Sequence, residues 1–256
     1  IVELVKVIIP IYKNTFTATE KRSLMQAYDI LKAYPLVVIK PESLDLSELQ
    51  AEFPRLTFTS FDDAYFKGIS GYNRLMLASG FYERFLDSTY ILIYQLDAFV
   101  FRDELKEWCS KGYDYIGAPW LQKPVYRFPI ISAIMHLAHM YHRQKGEPSK
   151  QDLYNKIGNG GLSLRKTDSH YRVTREQADR INFYLAQDRH HLYNEDVFWA
   201  TEATGFIYPE AMEAIRFAFD KYPAYCYKLT GGQLPFGCHS WYKRKMKKFW
   251  QPIIHF

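Results

Sequence analysis

Short apolar runs alternate along the chain with stretches of helical spacing. The runs are rich in β-branched and aromatic residues, which is typical of buried strands. They lie at 4–12, 36–40, 55–61, 90–101, 113–120 and 157–165. Helices are predicted between them, at 17–34, 45–51, 70–86, 103–111, 174–187 and 194–202. This alternation predicts an α/β fold with a doubly wound, mixed but mainly parallel sheet.

The length of the chain, 256 residues with 48% hydrophobic content, suits one large domain. Residues 121–156 interrupt the alternation and are predicted to be an insertion, helical around 129–144. We expect one domain over 1–242 that contains this insertion, followed by a basic and aromatic tail over 243–256.

The formal net charge of +5 is concentrated in the tail. Five of the 33 Lys and Arg residues lie within 243–248, and the other 28 equal the 28 Asp and Glu residues in number. No basic face is therefore expected across the domain, and nucleic acid is not an expected partner.

The tail interleaves basic and aromatic residues, a composition that favours peripheral contact with an anionic membrane through 243–256. The alternative is a charged helix that packs its rings on the domain. No apolar run reaches the roughly 18 residues needed to span a bilayer.

The cysteines Cys109, Cys226 and Cys238 are odd in number and widely spaced, which gives no disulfide framework. The sequence starts with a strand-like run and shows no secretion signal. We expect a cytoplasmic protein, with the inner face of the cytoplasmic membrane as a further location if the tail binds lipid.

Asp97 interrupts the most apolar run of the chain, YILIYQLDAFVF at 90–101. An ionised carboxylate is costly to bury unless it is paired or bound to a metal. Open α/β sheets bind ligands beyond the carboxyl ends of their strands. Asp97 is therefore a candidate ligand of Mg²⁺ or Mn²⁺, and a solvated strand-end Asp is the alternative.

Two further segments contain candidate residues: one has a pair of glycines and the other has a pair of acids. Gly160 and Gly161 allow a ligand to approach the backbone closely, although a bulge or a tight start of a strand explains them equally well. Glu195 and Asp196 open a predicted helix, where acids also serve as caps. Neighbouring helical residues point about 100° apart, so one of them faces a substrate. We favour Asp196 as a general base and Glu195 as the residue that orients an acceptor.

His239 lies in a loop-like context, between Gly237 and Trp241. An imidazole from this late segment would complete a metal site with the earlier Asp97, and a structural histidine is the alternative. The three histidines of MHLAHMYH, at 136–142, fan around a helix, so no metal is expected there.

Several segments together resemble the glycosyltransferase-A superfamily and, within it, a bacterial family of unknown function assigned to the glycosyltransferases. They cover most of residues 5–242 in the expected order. The segments are VIIPIYK, YNRLMLASGFYERF, YILIYQLDAFVF, YDYIGAPW, GNGGLSLRK, NEDVFW and FGCHSW.

The resemblance implies a donor site for a nucleotide-diphosphate sugar. The donor-binding residues it implies are Pro10, Ile11, Tyr12, Asn73, Arg74, Gln95 and Asp97. Gln95-Leu96-Asp97 looks like the Asp-x-Asp motif of the superfamily, but Gln95 replaces its first Asp. One carboxylate remains, and dependence on Mn²⁺ or Mg²⁺ held by Asp97 and His239 stays open.

The resemblance also implies an acceptor, which is a glycan or a lipid-linked saccharide. The acceptor-binding residues we expect are Trp120, Gly160, Gly161 and Trp241. The implied activity is that of a hexosyltransferase in polysaccharide biosynthesis. We expect inversion by direct displacement, with Asp196 as base, although a retaining route needs no strong base there.

Other classes of protein fit less well. The loop after the first run, Pro10-Ile11-Tyr12-Lys13-Asn14, has no glycine, which argues against a nucleotidyltransferase and a dinucleotide-binding dehydrogenase. A non-catalytic protein that binds carbohydrate or nucleotide sugar is the remaining alternative. It would account for the aromatic residues and glycines, but not for Asp97 together with a second acidic pair.

Overall fold

A computed structural model describes residues 2–122, 124–145, 148–187 and 190–255, without the side chain of Arg127. A six-stranded sheet forms its centre, in the order β3-β2-β1-β4-β7-β6. Its strands are β1 (Glu3–Pro10), β2 (Leu36–Pro41), β3 (Leu56–Phe61), β4 (Ser88–Tyr94), β6 (Tyr115–Gly117) and β7 (Leu162–Lys166). The strands β3, β2, β1 and β4 are parallel, whereas β7 is antiparallel to both of its neighbours. The predicted mixed, mainly parallel sheet is thereby confirmed.

A smaller sheet has the order β5-β9-β8. Its strands are β5 (Ala98–Val100), β8 (Ala218–Phe219) and β9 (Gly237–His239). The strand β9 is antiparallel to β5 and parallel to β8. This sheet brings the end of the chain against the segment that follows β4.

Twelve helices surround the two sheets in the described part of the chain. They are α1 (Ala18–Ile30), α2 (Ser47–Glu52), α3 (Gly68–Met76), α4 (Ser79–Glu83), α5 (Leu105–Ser110), α6 (Pro129–Gln144), α7 (Thr167–Glu176), α8 (Ala178–Ala186), α9 (Glu195–Thr201), α10 (Ala211–Phe217), α11 (Pro223–Leu229) and α12 (Arg244–Ile254). Short 3₁₀ turns lie at Asp63–Phe66, Pro124–Arg127, Lys150–Leu153 and His191–Tyr193.

Local sequence explains the best predicted elements. The strands β1, β2 and β4 carry runs of Val, Ile and Leu that are buried almost throughout, as strands covered on both faces require. The helix α1 begins where Thr17 and Glu20 form a capping box.

The predicted strand over 90–101 is wrong, because the chain turns at 95–97 and divides it into β4 and β5. The Ala98 N–H donates to the Gln95 carbonyl at 2.8 Å and closes this turn. The turn places Asp97 at the edge of the main sheet rather than within a strand. The Asp97 side chain is therefore partly exposed, whereas the apolar residues of β4 and β5 on either side of it are buried.

Two predicted long helices are each divided in two. The helix predicted over 70–86 forms α3 and α4, and the one predicted over 174–187 corresponds to the end of α7 and to α8. Gln177 accounts for the second break, since its side chain donates to the Glu202 carbonyl and accepts from the Thr204 N–H. These bonds hold the junction of α7 and α8 against the end of α9.

The tail forms the helix α12, which packs on the small sheet. Trp250 and Ile254 are buried there beside Phe99 and Phe219, while the Lys and Arg residues of the helix stay on its outer side. Trp250 and the half-buried Phe249 of the tail thus belong to the core of this part of the molecule. No helix among the described residues is long and apolar enough to cross a membrane.

Candidate active site

A cavity of about 610 Å³ opens where β1 and β4 end side by side. The chain crosses here from one half of the sheet to the other, since β1 lies between β2 and β4. Ligands of open α/β sheets bind at such a switch point. The residues that line the cavity include Pro10, Ile11, Tyr12, Tyr72, Asn73, Gln95, Asp97, Gly160, Gly161, Glu195, Asp196 and His239.

Asp97 and His239 meet on one side of this cavity. The pairing of β5 with β9 sets Ala98 opposite His239, and Nε2 of His239 lies 2.8 Å from Oδ1 of Asp97. Lys243 approaches the other carboxylate oxygen at 3.4 Å. Burial alone would raise the pKa of Asp97, but His239 and Lys243 more than offset it and hold that pKa below its ordinary value.

A second carboxylate, Asp220, holds the imidazole from behind. Its Oδ1 lies 3.1 Å from Nδ1 of His239, and it follows directly after β8. Burial alone would lower the pKa of His239, yet Asp97 and Asp220 raise it to about 9. The imidazole is thus fixed between two carboxylates.

The donors in this corner fit a divalent cation once Nε2 of His239 has lost its proton, because only a neutral imidazole binds a metal. The buried Nε2 atom of His239 is not aligned for a hydrogen bond, although Oδ1 of Asp97 is close. A methyl group on Gly161 would lie 2.2 Å from this Nε2 and 2.9 Å from Oε1 of Gln95. The two donor atoms therefore both lie beside Gly161. Carboxylate and amide oxygens with one imidazole suit Mn²⁺ or Mg²⁺. Among the described residues no three His, Cys, Asp or Glu side chains form a metal-binding group, so Gln95 would be the third donor.

Glu195 lies on the opposite side and is paired with a fully buried arginine. Both carboxylate oxygens are 3.1 Å from the guanidinium of Arg165, which also donates to Tyr82 at 2.9 Å. The Glu195 N–H donates to Oδ1 of Asn73. Burial raises the pKa of Glu195, and the Arg165 charge offsets part of this effect. Since Arg165 and Glu195 are 0% and 3% exposed, their arrangement is rigid.

Asp196 is half-buried and lies on the cavity wall. The Val197 N–H donates to its Oδ1 at 2.9 Å. Burial and the neighbouring Glu195 charge raise the pKa of Asp196 to about 7. A carboxylate that titrates near neutral pH is suited to accept a proton from a hydroxyl group.

The glycine pair makes room for these side chains. A methyl group on Gly160 would lie 2.3 Å from Oε1 of Glu195, and one on Gly161 would overlap the His239 ring. Any larger residue would displace the two functional side chains. The space beside the two glycines is taken by side chains of the protein itself, and close approach of a ligand to this backbone stays a prediction.

Three residues predicted to bind ligands lie elsewhere. Trp241 is 0% exposed and donates its indole N–H to the Ala98 carbonyl, so it belongs to the core. Trp120 packs its ring on Gly158, apart from the cavity lining. Arg74 is exposed outside the cavity, because the helix α3 turns Asn73 inward instead. For Arg74 and Trp241, whose neighbours Asn73 and Tyr242 line the cavity, tertiary packing decides which side chain faces it.

Arg165 and Asp220 belong to the site although the sequence did not single them out. Arg165 takes a polar position in LSLRK, where apolar and polar residues alternate, so its burial gives no signal in the sequence. Asp220 follows the apolar residues Phe217, Ala218 and Phe219. The sequence gives no reason to pair it with His239.

The fold is that of the glycosyltransferase-A class. Two solved structures of the galactosyltransferase LgtC align with 95% of this chain and 93% of theirs, one of them in complex with donor and acceptor sugar analogues. Their TM-scores are 0.55 and 0.56, at 13% and 15% identity. Mouse xyloside xylosyltransferase 1 covers 91% of the chain at 13% identity, with a TM-score of 0.49 that is too low to support a fold assignment.

Residues 55–239 match the family described as "Protein of unknown function (DUF5672)". This match covers more than half of the chain, and the chain belongs to that family. No curated protein matches it in sequence.

Proposed function

We propose that the protein is a glycosyltransferase that moves a sugar from a nucleotide-diphosphate donor to a glycan or a lipid-linked saccharide. One observation carries the proposal. Asp97, Glu195, Asp196 and His239 come from three distant segments of the chain and line a single cavity at the switch point of the sheet. Burying several charged groups in a hydrophobic core is energetically costly, whereas a site for sugar transfer requires charged groups.

The donor would occupy the side of the cavity formed by the end of β1. Pro10, Ile11 and Tyr12 line it there, and Tyr12 is 61% exposed, so its ring is accessible to a base. The diphosphate would then lie toward Asp97 and His239. Lys243 adds a cation at the same corner.

A divalent cation, held by Asp97 and His239 with Gln95, would neutralise charge on the departing diphosphate. The protein's own part in this corner is to orient the donors. Asp220 sets the direction of the His239 ring through Nδ1, and the Ser240 N–H fixes the backbone of Asp97 by donating to its carbonyl at 2.8 Å.

The acceptor would approach Asp196 from the cavity. In the proposed inverting step, the acceptor hydroxyl oxygen forms a bond to the anomeric carbon while its proton passes to Asp196. The bond between that carbon and the phosphate oxygen breaks, and its electron pair leaves with the nucleoside diphosphate. Glu195, held by Arg165, would orient the hydroxyl rather than take its proton.

A screen of nucleotide sugars tests this function. Thermal shift and donor hydrolysis are measured with and without Mn²⁺ for the parent, Asp97→Ala and His239→Ala. Asp168→Ala is the matched control, since Asp168 is exposed and lies outside the cavity. We expect one nucleotide sugar to stabilise the parent and the control but neither cavity variant.

Two outcomes contradict the proposal. The donor site fails if no nucleotide stabilises the protein, or if both cavity variants respond like the parent. Stabilisation of the parent without any hydrolysis or transfer would favour a non-catalytic protein that binds nucleotide sugar.

A further inference from the structure

The helix α6 carries an apolar stripe without a partner among the described residues. Ile130, Ile134, Leu137 and Tyr141 follow at spacings of four, three and four residues, which places them on one face. Their exposed fractions are 77%, 61%, 70% and 54%. Exposed apolar residues are ordinary when scattered, but a continuous row along one helix marks an interaction surface.

A different face of α6 contacts the end of the insertion. Ile131, Met135 and Ala138 are half-buried on that face. The Met135 carbonyl accepts from the Gln151 side chain at 3.2 Å, and Nδ1 of His139 lies 2.7 Å from the Ser149 hydroxyl. The stripe therefore lies on another side of the helix than these contacts.

The helix α6 and the segment before it are cationic in sequence. Residues 121–146 contain four Lys and Arg residues and no Asp or Glu. Arg143 and Lys145 are exposed, and Nζ of Lys145 lies 4.5 Å from the centre of the Tyr141 ring. Phe128, which is 63% exposed, precedes the helix, so exposed aromatic rings stand at both ends of the stripe.

These features match a lipid surface better than a second copy of the chain. A helix of 16 residues is about 24 Å long, too short to span a bilayer but suited to lie along its surface. Aromatic residues favour the level of the headgroups, and Lys and Arg are attracted by anionic lipid. Two copies packed stripe to stripe would bring like charges together.

We propose that α6 lies in the surface of a membrane containing anionic lipid, with Ile130, Ile134, Leu137 and Tyr141 inserted among the acyl chains. This differs from the contact expected of the tail. The apolar residues Trp250 and Ile254 of α12 are buried in the domain, so α12 can offer charge but little apolar surface. The proposal does not depend on sugar transfer.

Flotation of the whole chain with vesicles tests the proposal. The vesicles are phosphatidylcholine alone or with about 30% phosphatidylglycerol. The variant Ile134→Glu/Leu137→Glu changes the stripe, and Ser132→Glu/His136→Glu adds the same two charges on another exposed face of α6. All four positions lie outside the core, so the thermal midpoints should stay near that of the parent.

We expect the parent to float with anionic vesicles, the stripe variant to lose binding by at least about tenfold, and the control to stay within about threefold. Equal losses in both variants would show that charge alone is responsible, and the insertion of the stripe would be refuted. Failure of the parent to bind would also overturn the proposal. So would a stripe-dependent dimer in light scattering without lipid, which would assign the face to a second copy.

Discussion

Replacing Asp196 with Asn is expected to stabilise the protein and to slow sugar transfer strongly. In the folded protein the pKa of Asp196 is raised from 3.8 to about 7 by burial and by the Glu195 charge. The protonated Asp196 carboxyl group stabilises the folded state fully below its unfolded pKa of 3.8. This stabilisation is lost as the pH rises through about 7 and the group becomes ionised. The amide has nearly the same shape but carries no charge at any of these pH values.

The expected gain follows from the two pKa values. Their difference corresponds to an upper bound of about 4 kcal/mol in the free energy of unfolding at pH 8, and to less than half of that at pH 5. Because Asp196 is partly exposed, water reduces this bound, and a gain of about 1–3 kcal/mol at pH 8 is the realistic expectation. For a chain of this size it raises the thermal midpoint by several degrees.

Thermal denaturation at pH 8 and pH 5 measures this effect, and Glu202→Gln is the matched control. Hydrogen bonds from Arg180, at 2.8 and 2.9 Å, lower the pKa of Glu202, so its ionised form stabilises the fold above the unfolded pKa. The control should therefore lower the midpoint at pH 8, opposite in sign to Asp196→Asn. Only the Asp196 variant should lose activity.

The loss of transfer should be about 10²- to 10⁴-fold, the range for removal of a general base. In the parent, the rate should fall as the pH drops below about 7, because Asp196 then becomes protonated. The reasoning is refuted if Asp196→Asn gives the same midpoint shift at both pH values. A variant that stabilises as expected but keeps full transfer would remove only the role of base.

Three further substitutions test the remaining parts of the site. Asp220→Ala should weaken Mn²⁺ binding by about 10- to 100-fold in calorimetry without nucleotide, because His239 loses its orienting partner; an unchanged affinity would contradict this. Gly161→Ala should reduce both Mn²⁺ binding and transfer while the protein stays folded, since the added methyl group meets the His239 ring, and normal activity would show that the ring can move at little cost. Arg165→Met should lower the free energy of unfolding by about 3–5 kcal/mol, because it leaves the Glu195 charge unpaired. In a denaturant titration, the double variant Arg165→Met/Glu195→Gln should recover much of this loss. No recovery would argue against the ion pair.

The position of Asp97 in the fold rests on one physical point. A carboxylate within YILIYQLDAFVF must have a partner or a place outside the core, and the structure provides both, through His239 and through the turn at 95–97. The interruption was visible in the sequence, but the turn was not. Apolar runs on the two sides of the turn look alike, although β4 and β5 belong to different sheets.

The residues at helix and loop positions were harder to assign. Asn73 and Arg74 are neighbours, and only the packing of α3 decides that Asn73 faces the cavity. Trp241 and His239 are two positions apart, yet one ring is fully buried in the core and the other lines the cavity. Short-range patterns do not carry this information, because the side a residue faces depends on distant contacts.

Period and composition are local properties, and they were enough to predict the α/β class, the parallel part of the sheet and the segments that bear chemistry. They also placed Asp97, Glu195, Asp196 and His239 among the candidates. The contacts of Asp220 with His239 and of Arg165 with Glu195 join residues far apart in the chain, so they became visible only in the folded protein. Tertiary packing likewise buries Trp250 of the tail and leaves the stripe of α6 exposed.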